Sequence, residues 1–76
     1  MIVYPNPSAD YFNINTAQLD PQSKIFIYDL TGRVVESYDI TEGEMKVGEN
    51  LSNGVYFLKI AANNQVNQVI KLVKNF

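Results

Sequence analysis

Apolar residues recur at every second position along most of this chain. Phe12 and Ile14 alternate with Tyr11, Asn13 and Asn15, Ile25 and Ile27 with Phe26 and Tyr28, and Met45 and Val47 with Glu44 and Lys46. Further on, Tyr56, Leu58 and Ile60 alternate with Val55, Phe57 and Lys59. Val66, Ile70 and Leu72 alternate with Asn67, Val69, Lys71 and Val73. A period of two puts each apolar set on one face of a strand, and no segment shows helix-capping signals followed by the 3.6-residue period of a helix. Turn-forming residues separate the runs: Pro5-Asn6-Pro7, Asp20-Pro21, Thr31-Gly32, Glu42-Gly43, Ser52-Asn53-Gly54 and Asn63-Asn64. The pattern predicts strands near 2–4, 11–15, 24–29, 33–39, 44–47, 54–62 and 65–74. Short strands at this spacing indicate an all-β sandwich or barrel.

The last two strands are apolar on both faces, because Val55, Phe57, Val69 and Val73 lie opposite the core-facing set. Such strands are either the centre of a sheet or a surface that a partner covers, and the pattern leaves both open.

The 76 residues form one domain, 1–76, with Met1 read as an artificial start. Hydrophobic residues make up 46% and charged residues 18%, a balance that supports a core and argues against disorder. No apolar run approaches the ~18 residues of a membrane-spanning helix, so membrane insertion by a helix is not expected. The N-terminus shows no basic, apolar and cleavage-site sequence of a secretory leader, so any leader is expected on a passenger upstream. With no cysteine, disulfides, thiolate catalysis and cysteine metal sites are excluded. With no histidine, neither a Ser-His nor a Cys-His pair can exist.

The net charge of −2 gives no nucleic-acid footprint. The charges are unevenly placed, however. All eight acids precede Leu51, whereas Lys59, Lys71 and Lys74 follow it with no acid among them. Asp39, Glu42, Glu44 and Glu49 are the carboxylates closest to a calcium-type cluster, but their spacing fits no known loop. Glu42 and Glu44 are the nearest to a glycosidase pair, and a chain this short has little room for a pocket around them. No cofactor is expected.

Four blocks stand out. In Pro5-Asn6-Pro7 both prolines fix φ near −65° and lack an N–H, so the segment ends the first strand. Direct contact with a partner is the other reading. Asp29-Leu30-Thr31-Gly32-Arg33 reads as a hairpin turn, with Gly32 at positive φ, Asp29 bonding turn N–H groups and Arg33 paired with Asp29 or Glu36. Leu51-Ser52-Asn53-Gly54-Val55-Tyr56 reads as a tight turn into the longest central strand. There Leu51 plugs the sandwich end, Gly54 supplies a permissive backbone and Tyr56 buries its ring with its hydroxyl on a carbonyl. Asn50-Leu51-Ser52 also matches an N-glycosylation acceptor. Lys71-Leu72-Val73-Lys74 alternates charge and apolar residues two positions from Phe76. Its lysines are expected to be exposed. The strand either adds to a receptor's sheet edge, presents its lysines to an acidic groove, or is an edge protected by lysines against aggregation.

These four blocks, in this order and covering Tyr4 to Lys74, closely resemble the type A C-terminal sorting domain of the type IX (Por) secretion system of the Bacteroidetes. The resemblance implies an antiparallel, immunoglobulin-like β-sandwich of about seven strands and a non-catalytic secretion signal. It further implies that an N-terminally fused passenger reaches the periplasm by its own leader and that the domain then engages the outer-membrane translocon. A sortase-like surface peptidase is then expected to cut upstream of Tyr4, leaving the passenger at the cell surface or released. Lys71, Leu72, Val73 and Lys74 are the residues expected to be read by that machinery. Pro5, Asn6, Pro7, Asp29, Gly32, Arg33, Leu51, Gly54 and Tyr56 are expected to be architectural. Two other classes compete: a carbohydrate-binding or adhesive module that uses Tyr4, Tyr11, Tyr28, Tyr38 and Tyr56 as a stacking platform, and an inert spacer. A strand-swapped homodimer through the terminal strand is an alternative to the monomer.

Overall fold

The computed structural model describes residues 3–17, 19–41, 43–62 and 65–75, and of residues 65–67 the backbone alone. Seven strands follow the alternation: β1 (Val3–Tyr4), β2 (Phe12–Asn15), β3 (Lys24–Tyr28), β4 (Val34–Asp39), β5 (Glu44–Val47), β6 (Gly54–Ala62) and β7 (Gln65–Lys74). No helix occurs among the described residues. The predicted positions at Ile2, Glu42, Asn63-Asn64 and Phe76 lie outside them.

The strands form two antiparallel sheets, one in the order β1-β2-β5 and one in the order β4-β3-β6-β7. The constant-type immunoglobulin sandwich places its fourth strand beside the fifth. Here β4 pairs with β3 instead, so the fourth strand joins the sheet of β3, β6 and β7. The alternation sets what lies between the sheets. Phe12, Ile14, Met45 and Val47 face inward from one sheet, and Ile25, Ile27, Leu58, Ile60 and Leu72 from the other. Phe12, Ile14, Ile25, Ile27, Leu58 and Leu72 are wholly shielded from solvent. Each such side chain contributes about 1.5–3 kcal/mol, which a domain this small needs.

Two irregularities break the ladders, one in β3–β4 at Ile27/Tyr28 and one in β6–β7 at Ile60/Ala61. The first turns Val35 toward the core and leaves Val34 outside at 46% exposure. β6 lies between β3 and β7, whereas β7 is an edge strand of its sheet. The question left by the doubly apolar strands is thereby half answered, since β6 is central and still shows solvent one face.

Gly48 is a constraint that the strand pattern does not reveal. Its φ is +75°, and a Cβ there would stand 3.0 Å from Phe12 Cδ2 and 3.1 Å from Leu51 Cδ1. Gly54, with φ of +154°, needs glycine for conformation, since the nearest atom to an added Cβ is Tyr56 Cε1 at an ordinary 3.7 Å. Gly54→Val is expected to cost about 1–3 kcal/mol in urea titration. Gly48→Ala is expected to cost more than Gly32→Ala, whose φ of +88° is equally left-handed but whose surroundings are open. Equal midpoints for the Gly48 and Gly32 variants would contradict the packing role.

Candidate functional site

The C-terminal motif divides between the inside and the outside of the sandwich. Leu72 and Lys74 share the inward parity of β7, while Lys71 is exposed and Val73 half-buried on the outer face. Lys74, expected on the surface, is 3% exposed. Its ammonium donates to the backbone oxygens of Asp10, of Gly48 at 2.6 Å and of Glu49 at 3.1 Å. Burying an ammonium without such acceptors would cost several kcal/mol. Lys74 is therefore a tie between the end of β7, the segment before β2 and the turn after β5. As the domain is folded, it presents no charge to a partner.

The outer edge of β7 is also occupied. Asn6 inserts its carboxamide where a neighbouring strand would run, Nδ2 donating to Lys71 O at 2.7 Å and Oδ1 accepting from Val73 N at 3.0 Å. Two residues on, Ser8 continues as a parallel bridge, its N–H donating to Val73 O and its carbonyl accepting from Asn75 N, both at 2.9 Å. The prolines explain why a side chain is used. Pro5 and Pro7 have no N–H to give to a ladder, so the amide of Asn6 supplies both donor and acceptor. Both X-Pro bonds, Tyr4-Pro5 and Asn6-Pro7, are cis. From Lys71 to Asn75 the edge is occupied, so of the three readings of this motif the addition of a free edge to a receptor sheet is the one it does not fit. Pro5-Asn6-Pro7 does end β1, as expected, and it also covers the last strand.

The two middle motifs meet at one end of the sandwich. Asp29 Oδ1 accepts from Thr31 N at 2.9 Å, Thr31 Oγ1 at 2.6 Å and Arg33 N at 3.1 Å. Its Oδ2 faces Arg33 Nε at 3.4 Å. Between the two carboxylates open to it, Arg33 thus takes Asp29. The hydrogen bond from Thr31 leads the interactions that hold the Asp29 carboxyl below its usual range, assisted by the Arg33 charge. Tyr56 is buried, and its hydroxyl donates to Ser52 O at 2.9 Å. Leu51 closes the sandwich end at 7% exposure. Asp29, Arg33, Leu51, Ser52 and Tyr56 border one shallow depression.

Tyr38 ties this region to Lys74. Its hydroxyl donates to the Glu36 carboxylate and accepts from Gly48 N at 3.1 Å, the residue whose carbonyl receives the Lys74 ammonium. Burial, then the bond to Glu36, pushes the Tyr38 phenol up to about 12. Nothing in the alternation marks Tyr38 or Gly48 as parts of this network.

Other candidate chemistry is dispersed. Tyr4 bonds Glu44 at 2.5 Å and Tyr11 lies under Lys46, both on the smaller sheet. Tyr28 faces out from the larger sheet, Tyr38 is half-buried and Tyr56 is in the core. The five rings therefore form no stacking platform. No group of three carboxylates converges among the described residues.

Lys74→Met, which strands three backbone acceptors, is expected to lower stability by about 2–4 kcal/mol. Lys71→Gln should change it by less than ~0.5 kcal/mol. Asn6→Ala should cost about 1–2 kcal/mol. Equal urea midpoints for the Lys71 and Lys74 variants would contradict the inside–outside division. For Tyr38, the folded value lies above the unfolded 10.0. Its contribution is complete below pH 10 and is lost as pH rises toward about 12. Stability should therefore fall more steeply across that window in the parent than in Tyr38→Phe, measured by urea titration at each pH.

Comparison with known proteins accords with this geometry. The secretion system C-terminal sorting domain family matches residues 2–75. The chain is also similar to ulvan lyase NLR42 of Nonlabens ulvanivorans, with 29% identity over 75 residues that make up 96% of this chain and 14% of that one. It thus spans about one seventh of the length of that curated relative. The clasped first and last motifs are parts of a unit that the family match covers end to end: the chain belongs to the secretion system C-terminal sorting domain family, the sorting signals of type IX secretion.

Proposed function

We propose that the domain acts as a folded address, recognised at the outer membrane by the type IX translocon and then removed by a sortase-like surface peptidase that cuts upstream of Tyr4. It carries an N-terminally joined passenger through the periplasm to the cell surface or the medium. It is the substrate of these steps and catalyses none of them. The family match over residues 2–75 carries this reading. The much greater length of the ulvan lyase relative supports a domain that is borne by a larger protein.

The burial of Leu72 and Lys74 supports a narrower reading of the motif. Within the C-terminal motif, Lys71 and Val73 are the side chains available to a receptor, while Leu72 and Lys74 act by keeping β7 in place. Recognition then requires the folded sandwich and not a linear peptide.

The test is a fusion of residues 2–76 behind a reporter with its own leader, in a host with a working type IX system. The parent fusion is expected at the surface or in the medium. A Lys74→Met fusion, scored for folding by protease susceptibility, should be exported only in proportion to its folded fraction. An unfolded variant exported as well as the parent would refute recognition of the folded state. A parent fusion that stays in the periplasm would refute the sorting role.

A further inference from the structure

The two outer faces of the sandwich differ in kind. On the smaller sheet the outward positions of β2 and β5 are Asn13, Asn15, Glu44 and Lys46, as expected of a face in water. On the larger sheet the corresponding positions of β3, β6 and β7 include Phe26, Tyr28, Val55, Phe57, Val69 and Val73 beside Lys24, Lys59 and Lys71. The register sets them in rows across three strands: Phe26–Lys59–Val69, Tyr28–Phe57–Lys71, and Val55 beside Val73. Phe26, Tyr28, Phe57 and Val73 are half-buried, and Val69 is 55% exposed. Among the described residues, no third layer of strands lies over them.

This face is ordered and positively charged. The Lys59 ammonium lies 4.2 Å from the Tyr28 ring centroid, and Tyr28 leans on Phe26 with centroids 6.3 Å apart. Among the described residues of these four strands, Asp39 is the acid on the outer face, and it is paired with Lys24 at 3.4 Å on the β4 side. Lys59 on the central β6 and Lys71 on the edge strand β7 thus lie among the apolar side chains of this face.

The chemistry selects the occupant. A second copy packed face to face would bring Lys59 and Lys71 against their own counterparts in a drying interface, where like charges repel strongly. We propose that the outer face of the β4-β3-β6-β7 sheet, centred on Phe57 with Lys59 and Lys71, is the surface that docks on the export receptor. The receptor patch it fits is an apolar protein surface set with carboxylates. The proposal rests on the sorting reading and extends it from the C-terminal residues to a whole sheet face.

Export of the reporter fusion tests it, with the thermal midpoint of each variant measured alongside. Lys59→Glu with Lys71→Glu should reduce export at least about tenfold. Lys59→Arg with Lys71→Arg should be exported like the parent, and so should Lys46→Glu on the opposite sheet. If the double reversal lowers the midpoint, Lys71→Glu alone decides, since Lys71 is exposed and its change is expected to leave folding intact. Parent-like export of a folded Glu variant overturns the face while leaving the sorting role standing. A parent fusion that is not exported overturns the sorting role and the face with it. Purified domain that dimerises in sedimentation, and is dispersed by Lys59→Glu, would make the face a self-interface and overturn the proposed occupant.

Discussion

Lys74 brings an ammonium into the interior at the point where three separate stretches of chain must meet. A charge in that position is tolerable only while carbonyl oxygens surround it. Those oxygens come from Asp10, Gly48 and Glu49, so the segment before β2 and the turn after β5 are held in one arrangement. That turn in turn requires glycine at Gly48, because Phe12 and Leu51 close over it. The N–H of the same residue donates to the Tyr38 hydroxyl, which in turn donates to Glu36. The carboxamide of Asn6 and the backbone of Ser8 then complete the outer edge of the strand that carries Lys74.

Much of the sandwich was legible in the sequence because the core is built from strict alternation. The seven strands, the turns at Asp29–Arg33 and Ser52–Gly54, and the buried ring of Tyr56 all follow from apolar period and turn chemistry. Lys74 was not legible as an interior residue. A charged residue at the end of an alternating strand reads as exposed, and its acceptors are backbone atoms far away in sequence that carry no residue-type signal. Parity held the one available hint, since residue 74 falls on the same face as Ile70 and Leu72. Asn6 was opaque for a related reason. Two flanking prolines say that a ladder must stop there, but not that the amide between them will serve another strand.

The division of the C-terminal motif changes how a sorting signal of this kind should be pictured. Half of the motif faces inward and is architectural, and the sheet face beyond it is broad, aromatic and basic. Lys71 and Lys74 are the same residue type three positions apart, yet one stands in solvent and the other is enclosed. An argument from residue type alone would treat them as equivalent.

The clasp joins residues 6–10 to residues 71–75, a span close to the whole length of the domain. A ribosome making this chain N-terminus first cannot release a finished sandwich until Asn75 has left the exit tunnel. A prematurely terminated product lacks the acceptor strand for Asn6 and the ammonium for Asp10, Gly48 and Glu49 together. Completion of the fold thus requires that translation has run through β7.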